Sequence, residues 1–160
     1  MSTNYSNSSA LRRVRTIADY QFGAGAGTAL FPDGCEFGFS RTGRIRYVLI
    51  GGKRLATVRA GDGRLTLSYE GALRLMPALE SPAYRVVIDE TVVEFVGKGK
   101  NAMAKHVIAA DAEIRAGDEV LVVTAADDLV ATGSAALSGE EMLAFNYGVA
   151  VNVRKGRDTS

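Results

Sequence analysis

The segment FVGKGKNAMAKHV, residues 95–107, combines residue types that could bind an anion. Its two glycines lack a Cβ atom, so a phosphate or ribose could approach the main-chain amides closely. Its three lysines add positive charge, and its asparagine can donate or accept a hydrogen bond. From the pattern alone, a solvated turn is favoured over such a contact. The candidate contact residues of this segment are Gly97, Lys98, Gly99, Lys100, Asn101 and Lys105.

The same segment does not match the nucleotide-binding loop G-x-x-x-x-G-K-[ST], because no Gly-Lys-Ser/Thr sequence ends it. It also follows a predicted helix and precedes a predicted strand, which is the reverse of the order that such a loop needs. The glycine-rich stretch GAGAGT, residues 23–28, follows no dinucleotide-binding strand. We interpret it as a flexible segment.

Few residues could carry catalysis or hold a metal. His106 is the only histidine and Cys35 the only cysteine, so a zinc site would need carboxylates and an internal disulfide is excluded. We interpret His106 as a packed or strand-face residue and Cys35 as a buried thiol. The spacing of the other polar residues locates no nucleophile–base pair. We therefore predict no catalytic residue, no metal and no cofactor.

The composition is that of an ordinary globular protein, with 47% hydrophobic and 23% charged residues in 160 positions. This length fits one domain or two small ones. No apolar run approaches the ~20 residues that span a bilayer, and the polar start MSTNYSNSSA lacks the apolar core of a secretory signal. We therefore expect a cytoplasmic chain with no membrane partner and a flexible tail at residues 1–8.

The charge is unevenly distributed about Pro82. Residues 1–82 carry a net charge of +5 and residues 83–160 carry −4, although the whole chain carries only +1. Any anionic partner would therefore be held by local patches. The basic surplus of the first half is interpreted either as a solvated face or as part of an anion-binding surface; its residues are Arg12, Arg13, Arg15, Arg44, Arg46, Lys53 and Arg54.

The pattern of the first half predicts a helix, an antiparallel meander and a second helix. Ser8 or Ser9 can cap the helix ALRRVRTIADYQF, which would end at Gly23. Four short β-type runs follow, with the tightest hairpin signal at Gly51-Gly52. Ser68 begins the second helix, SYEGALRLMPAL. The aromatic residues that we assign to the core are Tyr20, Phe22, Phe31 and Tyr47.

The second half predicts a small closed or half-closed barrel. Five or six short strands are separated by turns and by two short helices, for which Thr91 and Ser138 are the candidate caps. The stretch AMAKHVIAAD is predicted as one strand. The predicted fold class is therefore α+β, with a helix and antiparallel-sheet domain followed by a mixed β pseudo-barrel.

The order of these elements resembles a PUA domain, the module named for pseudouridine synthases and archaeosine transglycosylases. The resemblance covers residues 84–156 and is carried by RVVID, EFVGKGKNAMAKHV, RAGDEVLVV, LVATGSAALSGEEML and GVAVNVR. The first half is similar to the small domain that precedes PUA in archaeosine tRNA-guanine transglycosylase, through ADYQFGAGAG, ALFP, RTGRIRYVLIGGKRLATVRAGDGRLTLS and EGALRL. The large catalytic barrel of that enzyme has no counterpart in these residues. The resemblance implies domains at residues 9–82 and 83–157.

The resemblance also implies binding of structured RNA, through the glycine loop and the end of the closing strand. It adds Arg154 and Lys155 to the contact residues given above. We expect a non-catalytic protein that recognises a tRNA or rRNA stem or acceptor end in RNA modification, alone or with a separately encoded catalytic subunit. The alternative is a protein-interaction adaptor, in which the acidic second half docks an enzyme.

Overall fold

The computed structural model of the chain describes residues 3–159, with side chains described from Asn7 onward. The chain divides into two compact units with a boundary between Leu79 and Glu80, called unit 1 and unit 2 below. Each unit has its own sheet, of four strands in unit 1 and six in unit 2. The predicted α+β class is confirmed. Within the described range, every helix is too short or too polar to cross a membrane.

Unit 1 is an antiparallel meander accompanied by helices, with the strand order β1-β2-β3-β4. Its elements among the described residues are α1 (Thr3–Phe22), α2 (Ala26–Leu30), β1 (Glu36–Phe39), β2 (Ile45–Ile50), β3 (Lys53–Val58), β4 (Leu65–Leu67), α3 (Tyr69–Leu75) and a 3₁₀ turn (Met76–Ala78). The Gly51-Gly52 hairpin is confirmed, because both glycines adopt the positive φ that such a turn needs. Ser68 caps α3, where its hydroxyl accepts a hydrogen bond from the Gly71 amide at 2.9 Å.

The first helix begins earlier than the serine caps predict. It starts at Thr3 and ends, as predicted, at Gly23, which has a φ of +114°. No glycine or proline lies between Thr3 and Phe22, so nothing in the backbone forces the helix to begin at Ser8 or Ser9. The expected flexibility of residues 1–8 stays a prediction, and residues 1 and 2 lie outside the described residues.

The glycine-rich stretch after α1 forms a turn at residues 23–25 and then enters α2, contrary to the predicted flexible segment. Gly25 takes a left-handed conformation (φ +92°) and α2 follows it. A Cβ atom on Gly27 would lie 2.4 Å from the Arg15 carbonyl oxygen, so only glycine lets the two helices approach this closely. The Gly27 amide also donates a hydrogen bond to the Asp19 carboxylate at 2.7 Å. Gly27 therefore serves close packing of two helices, and Gly25 provides the turn before the second of them.

Of the four aromatic residues assigned to the core of unit 1, one lies outside it. Phe22 and Phe31 are buried and Tyr47 is half-buried, whereas Tyr20 is 93% exposed. Tyr20 lies two residues beyond the buried Ala18, which places it on the opposite side of the helix. The most fully buried apolar residues of the unit are Val14, Ala18, Ala26, Leu30, Phe31, Val48, Leu55, Ala56, Leu65, Leu67, Ala72 and Leu75.

Unit 2 is built on a six-stranded mixed sheet with the order β6-β10-β9-β8-β5-β7. The β5–β8 pair is parallel and the other pairs are antiparallel. The elements are β5 (Arg85–Ile88), α4 (Val93–Gly97), β6 (Ala102–Met103), β7 (Val107–Ala110), β8 (Glu119–Val123), β9 (Leu129–Ala135), α5 (Gly139–Ala144) and β10 (Val149–Gly156), with 3₁₀ turns at Glu90–Val92 and Ala104–His106.

The two strands at the ends of this order are neighbours in the sequence. The predicted strand AMAKHVIAAD is broken by the 3₁₀ turn Ala104–His106 into β6 and β7. Because this turn joins opposite ends of the strand order, the sheet must curl until its two edges almost meet. The predicted half-closed barrel is confirmed, and the prediction of one continuous strand is wrong. Its interior is filled by buried apolar residues, among them Val86, Val120, Val130, Met142 and Val151.

The short helices of unit 2 have caps that fix where they begin. The Ser138 hydroxyl accepts from the Glu141 amide, and the Glu141 carboxylate accepts from the Ser138 amide, so α5 begins with a capping box. The turn before α4 is capped by Asp89, whose carboxylate accepts from the Thr91 amide at 2.9 Å. Thr91 is therefore the capped residue and not the predicted cap.

Candidate nucleic-acid interface

The glycine loop after α4 is a helix C-terminal cap. Gly99 adopts a φ of +100°, and its amide donates to the Val96 carbonyl at 2.9 Å. The Lys100 amide donates to the Phe95 carbonyl at 3.2 Å, which completes a Schellman motif. The Lys98 amide likewise bonds to carbonyls of α4. These three amides are occupied within the chain, so the expectation that they are available to a phosphate is wrong.

Gly97 also serves packing within unit 2. It is buried, and its carbonyl accepts a hydrogen bond from the Asp158 amide at 2.8 Å. A Cβ atom on Gly156 would lie 2.2 Å from the Gly97 carbonyl oxygen. The end of α4 and the end of β10 therefore touch through their main chains, which only glycine allows at this separation. The structure brings these two predicted parts of the site together.

The side chains of this loop, unlike its amides, face solvent. Lys98, Lys100 and Lys105 are exposed, and Lys98 makes one exposed ion pair with Glu94 at 3.7 Å. Such a pair holds its lysine weakly. Among the described residues, Lys100 and Lys105 have no carboxylate within ion-pairing distance. These ammonium groups are therefore accessible to an anionic partner.

Asn101 ties the loop to the closing strand. Its side-chain oxygen accepts a hydrogen bond from the Val153 amide at 2.9 Å. Further along, Met103 of β6 pairs with Val149 at the opposite end of β10. The lysines are therefore distributed along the edge that β6 and β10 form, with Lys98 and Lys100 near its one end and Lys105 near the other.

The two basic residues proposed on the closing strand have different surroundings. Arg154 makes a bidentate contact with Glu119, at 2.6 and 2.5 Å, and the Glu119 side chain is only 4% exposed. Its guanidinium compensates a buried carboxylate across β9, the strand between β8 and β10. Lys155 is exposed. Arg154 thus has a structural role that the sequence analysis missed, whereas Lys155 presents its charge to solvent.

Unit 1 contains a basic groove of about 880 Å³. It lies between α1 and two hairpin loops, which join β1 to β2 and β3 to β4. Alternate loops of an antiparallel meander fall at the same end of the sheet, so these two loops meet. The charged residues that line the groove are Arg13, Arg44, Arg46, Arg59 and Asp62, and the hydroxyls of Ser40 and Thr42 also reach it.

Three residues of the predicted basic surplus therefore come together in this groove, and Arg59 joins them. The sequence analysis did not single out Arg59, although its position before the Gly61–Gly63 turn carries the signal for such placement. Arg59 forms an ion pair with Asp62. Elsewhere in unit 1, Arg15 donates to the Phe31 carbonyl at 2.8 Å and so ties α1 to the end of α2.

Titratable groups in unusual surroundings do not converge on a catalytic centre in the described part of the chain. Burial raises the pKa of the Cys35 thiol, so it stays protonated at neutral pH and is a poor nucleophile. Hydrogen bonds from Thr91 lower the pKa of Asp89. His106 is half-buried at the end of its 3₁₀ turn, where its carbonyl accepts from the Asp89 amide. Over residues 3–159, no three His, Cys, Asp or Glu residues are arranged to hold a metal ion.

Two family descriptions match the chain. Residues 12–82 match the patch-forming domain C2 of tRNA-guanine transglycosylase, and residues 84–157 match the PUA domain. A tRNA-guanine(15) transglycosylase of Pyrococcus abyssi is 54% identical over 92% of this chain and 25% of its own length. The corresponding protein of Methanothermobacter thermautotrophicus is 50% identical over 91% of this chain and 22% of its own. The chain thus spans about a quarter of the length of these relatives.

A solved structure gives the same fold over nearly the whole chain. A hypothetical protein of Pyrococcus horikoshii superposes with a TM-score of 0.72, at 23% identity, over 93% of this chain and 90% of its own. The order of the two domains, their sequences and the nearly closed sheet agree with one assignment. The chain combines a patch-forming domain C2 with a PUA domain after it, and is related to the C-terminal region of the archaeal tRNA-guanine(15) transglycosylases.

Proposed function

We propose that this chain binds structured RNA as a recognition module in RNA modification. The preferred ligand would be a stem or acceptor end of tRNA, and the second candidate is a stem or end of rRNA. The observation that carries the proposal is the set of exposed lysines along the β6–β10 edge of a PUA domain whose relatives are named for a reaction on tRNA. The two domains of the proposal span residues 9–82 and 83–157.

The contact that we propose is made by side chains. Since the amides of residues 98–100 are bonded to α4, the ammonium groups of Lys98, Lys100 and Lys105 would bind the phosphates. Lysine acts on a phosphate as a mobile point charge, which suits contact with a backbone and not with a particular base. A-form RNA hides its base edges in a deep, narrow groove, so such a surface would recognise shape and backbone. Lys155 would extend the contact along β10.

The role of the glycines differs from the one expected if the main-chain amides of the loop were available to a phosphate. Gly99 holds the loop in its left-handed cap, and the Gly97 carbonyl accepts from the Asp158 amide just beyond β10. Together with Asn101, they fix where the lysines stand, so they belong to the proposed site as positioning residues. Arg154 contributes in the same indirect way, by holding β10 to the buried Glu119.

The basic groove of unit 1 supports the same proposal independently. Arg13, Arg44 and Arg46 line one concave surface, beside Arg59, which is paired with Asp62. Arginine is well suited to phosphate because its planar group can donate two parallel hydrogen bonds. The hydroxyl groups of Ser40 and Thr42 also lie here, and because one donates to the other at 3.0 Å, one of the two O–H groups is left as a donor of the kind that contacts RNA backbones. We propose this groove as a second phosphate-binding surface, considered within unit 1 alone.

We further propose that the chain supplies recognition and not chemistry, acting alone or beside a separately encoded catalytic subunit. The support is that the shifted pKa values of the described residues each have a local structural cause. The reaction of the full-length relatives is not assigned to this chain.

The test compares charge reversals at the lysines with a matched reversal elsewhere. Lys98→Glu/Lys100→Glu should weaken binding of a tRNA transcript and make the slope of log affinity against log salt shallower by about 2. The single variant Lys100→Glu should act in the same direction by about 1, whereas Arg115→Glu, an exposed residue with the same change in charge, should leave the slope unchanged.

Two results would count against the proposal. Equal slopes for Lys100→Glu and Arg115→Glu would show that only net charge matters. Unchanged affinity and slope in the double variant would remove the loop from the site. Recovery of a protein partner that survives nuclease treatment, with no RNA retained, would favour the adaptor alternative.

A further inference from the structure

Tyr20 lies at one end of the basic groove of unit 1. It is 93% exposed, more than any other large hydrophobic side chain of the described residues. Tyr20 lines a depression of about 520 Å³, which shares three lining residues with the basic groove: Ile17, Asp62 and Gly63. The two depressions are therefore one continuous surface. The loop that carries Arg44 and Arg46 lines only the first of them, so the surface is basic at one end and aromatic at the other.

The first helix sets the distance between these two ends. One face of α1 carries Arg13, Ile17 and Tyr20, which are spaced four and three residues apart. Tyr20 is two turns from Arg13, about 10 Å along the helix axis. This length is close to the extent of one nucleotide from its phosphate to the far edge of its base. Ile17 lies between the two ends and is half-buried, so the surface has an apolar floor.

The basic end carries more positive charge than the protein itself neutralises. Three of its arginines are exposed and, among the described residues, have no carboxylate within ion-pairing distance: Arg13, Arg44 and Arg46. Arg59 differs from them, because it is paired with Asp62. Like charges that line one concave surface repel each other, and a phosphate bound among them offsets that repulsion.

The walls of this surface are fixed by hydrogen bonds within unit 1. The Gln21 side chain joins α1 to β4, because it donates to the Leu65 carbonyl at 3.0 Å and accepts from the Leu65 amide at 2.7 Å. The loop between β1 and β2 is closed by the Ser40 amide, which donates to the Arg44 carbonyl at 2.7 Å. A surface that is already formed loses less entropy when it binds a ligand.

We propose that this surface of unit 1 is a site for a single nucleotide, with the base stacked on Tyr20 and the phosphate bound by the three arginines that lack a carboxylate partner. The inference rests on the proposed phosphate-binding role of the groove, which it deepens by naming the ligand. A phosphate alone would leave the exposed ring without a contact, whereas a ring and guanidinium groups together match both parts of a nucleotide. A free nucleoside monophosphate and a nucleotide bulged from an RNA strand both have these parts.

The experiment titrates the full chain into the 5′-monophosphate of 2-aminopurine riboside, whose fluorescence falls when its base stacks on a ring. The wild type should quench it saturably. The riboside without the phosphate should bind about tenfold more weakly, because it lacks the charge-assisted hydrogen bonds to the arginines. Tyr20→Ala should weaken binding of the monophosphate roughly five- to fifty-fold, whereas Tyr20→Phe, which keeps the flat ring, should retain it.

Matched substitutions separate this site from general effects. Tyr147 is 71% exposed and its ring stacks on that of Phe145 in unit 2, so Tyr147→Ala removes an exposed tyrosine that lies outside the groove lining. Arg12→Ala removes the same charge from α1 as Arg13→Ala, but Arg12 lies outside that lining too. Both controls should bind the monophosphate as the wild type does, and Arg13→Ala should bind it about tenfold more weakly. Circular dichroism should show all variants folded, because the substituted side chains are exposed.

A pair of RNA hairpins identifies the source of the nucleotide. The hairpins share one stem, and 2-aminopurine is either bulged from that stem or paired within it. Quenching of the bulged base that Tyr20→Ala removes would assign the site to RNA. Tyr20-dependent quenching of the monophosphate alone would assign it to a free nucleotide.

Two outcomes would overturn the inference. If Tyr20→Ala changed the quenching of neither the monophosphate nor the bulged hairpin, while the salt slope for the tRNA transcript still depended on Lys100, the nucleotide site would be removed and the proposed function would stand. Equal losses for Arg12→Ala and Arg13→Ala would show that the groove binds no phosphate. A salt slope that did not depend on Lys100, with Tyr20-dependent quenching retained, would instead remove the lysine loop and leave this site in place.

Discussion

Arg154 in the closing strand and Lys100 in the loop after α4 are both basic residues of unit 2, yet their surroundings differ. Arg154 donates two hydrogen bonds to the buried carboxylate of Glu119. Lys100 is exposed, and among the described residues it has no ion-pair partner. The planar guanidinium matches a carboxylate in two places, whereas an ammonium group on a flexible chain stays hydrated. Two residues with the same charge in the sequence therefore have different roles: Arg154 makes a structural ion pair, and Lys100 is accessible to a ligand.

The difference shows that a basic residue is a better indication of a ligand when no carboxylate of the protein neutralises it. Arg15 and Arg59 follow Arg154, since each has an acidic partner within unit 1. Lys105 and Lys155 follow Lys100, and Lys98 makes only an exposed pair with Glu94. A site proposed from charge alone would have combined these two groups.

The largest effect that tests this comparison is the loss of Arg154. Arg154→Ala leaves the buried Glu119 carboxylate without its bidentate partner, and we expect the free energy of unfolding to fall by about 3 kcal/mol. The neighbouring Lys155→Ala should change it by less than about 0.5 kcal/mol, because Lys155 is exposed. Urea unfolding of the two variants measures both values. Equal stability of the two variants would show that the Glu119 contact contributes nothing.

A smaller effect tests the main-chain contact between the two regions. Gly156→Ala would place a Cβ atom 2.2 Å from the Gly97 carbonyl oxygen, which is backbone and has little freedom to move. We expect a loss of about 2 kcal/mol in unfolding free energy. Gly61→Ala is the matched control, since a Cβ atom there would meet nothing within 4 Å. If both substitutions had the same effect, the close approach of α4 and β10 would be refuted.

The smallest effect concerns an ion pair that is exposed and not buried. The Arg59 side chain and the Arg64 amide lower the pKa of Asp62 to about 2. Because this pKa lies below the ordinary 3.8, the stabilisation is complete above about pH 4 and is lost as the pH falls through about 2. An NMR titration should show the low pKa, and Arg59→Ala should move it towards 3.8. A carboxyl that titrates alike in both proteins would contradict this pairing.

The sequence predicted what depends on neighbouring residues. The Gly51-Gly52 hairpin and the caps at Ser68 and Ser138 each rest on signals a few residues long, and the structure contains all three. The series of short strands in the second half predicted the barrel, and the family resemblance agreed with it. Local signals failed where packing decided, as at Gly27, whose missing Cβ lets two helices approach. Such contacts leave no periodic trace in a single sequence.

The sequence predicted the lysines of the proposed site but not the contacts that hold them in position. The bond between Arg154 and Glu119 joins residues 35 positions apart, and it depends on β9 lying between their strands. The groove of unit 1 depends on two hairpin loops meeting at one end of the sheet. The sequence analysis did not single out Phe145 and Tyr147, because exposure is a property of the folded chain.

The turn Ala104–His106 has a consequence for how the barrel can form. It connects two strands that lie at opposite ends of the strand order. A shift in the pairing register of one strand would therefore displace the other strand from its own register. Met103 pairs with Val149, and most of the domain's sequence lies between these two residues. Loop-closure entropy must therefore be overcome before this last seam is formed, and the seam should close late in folding.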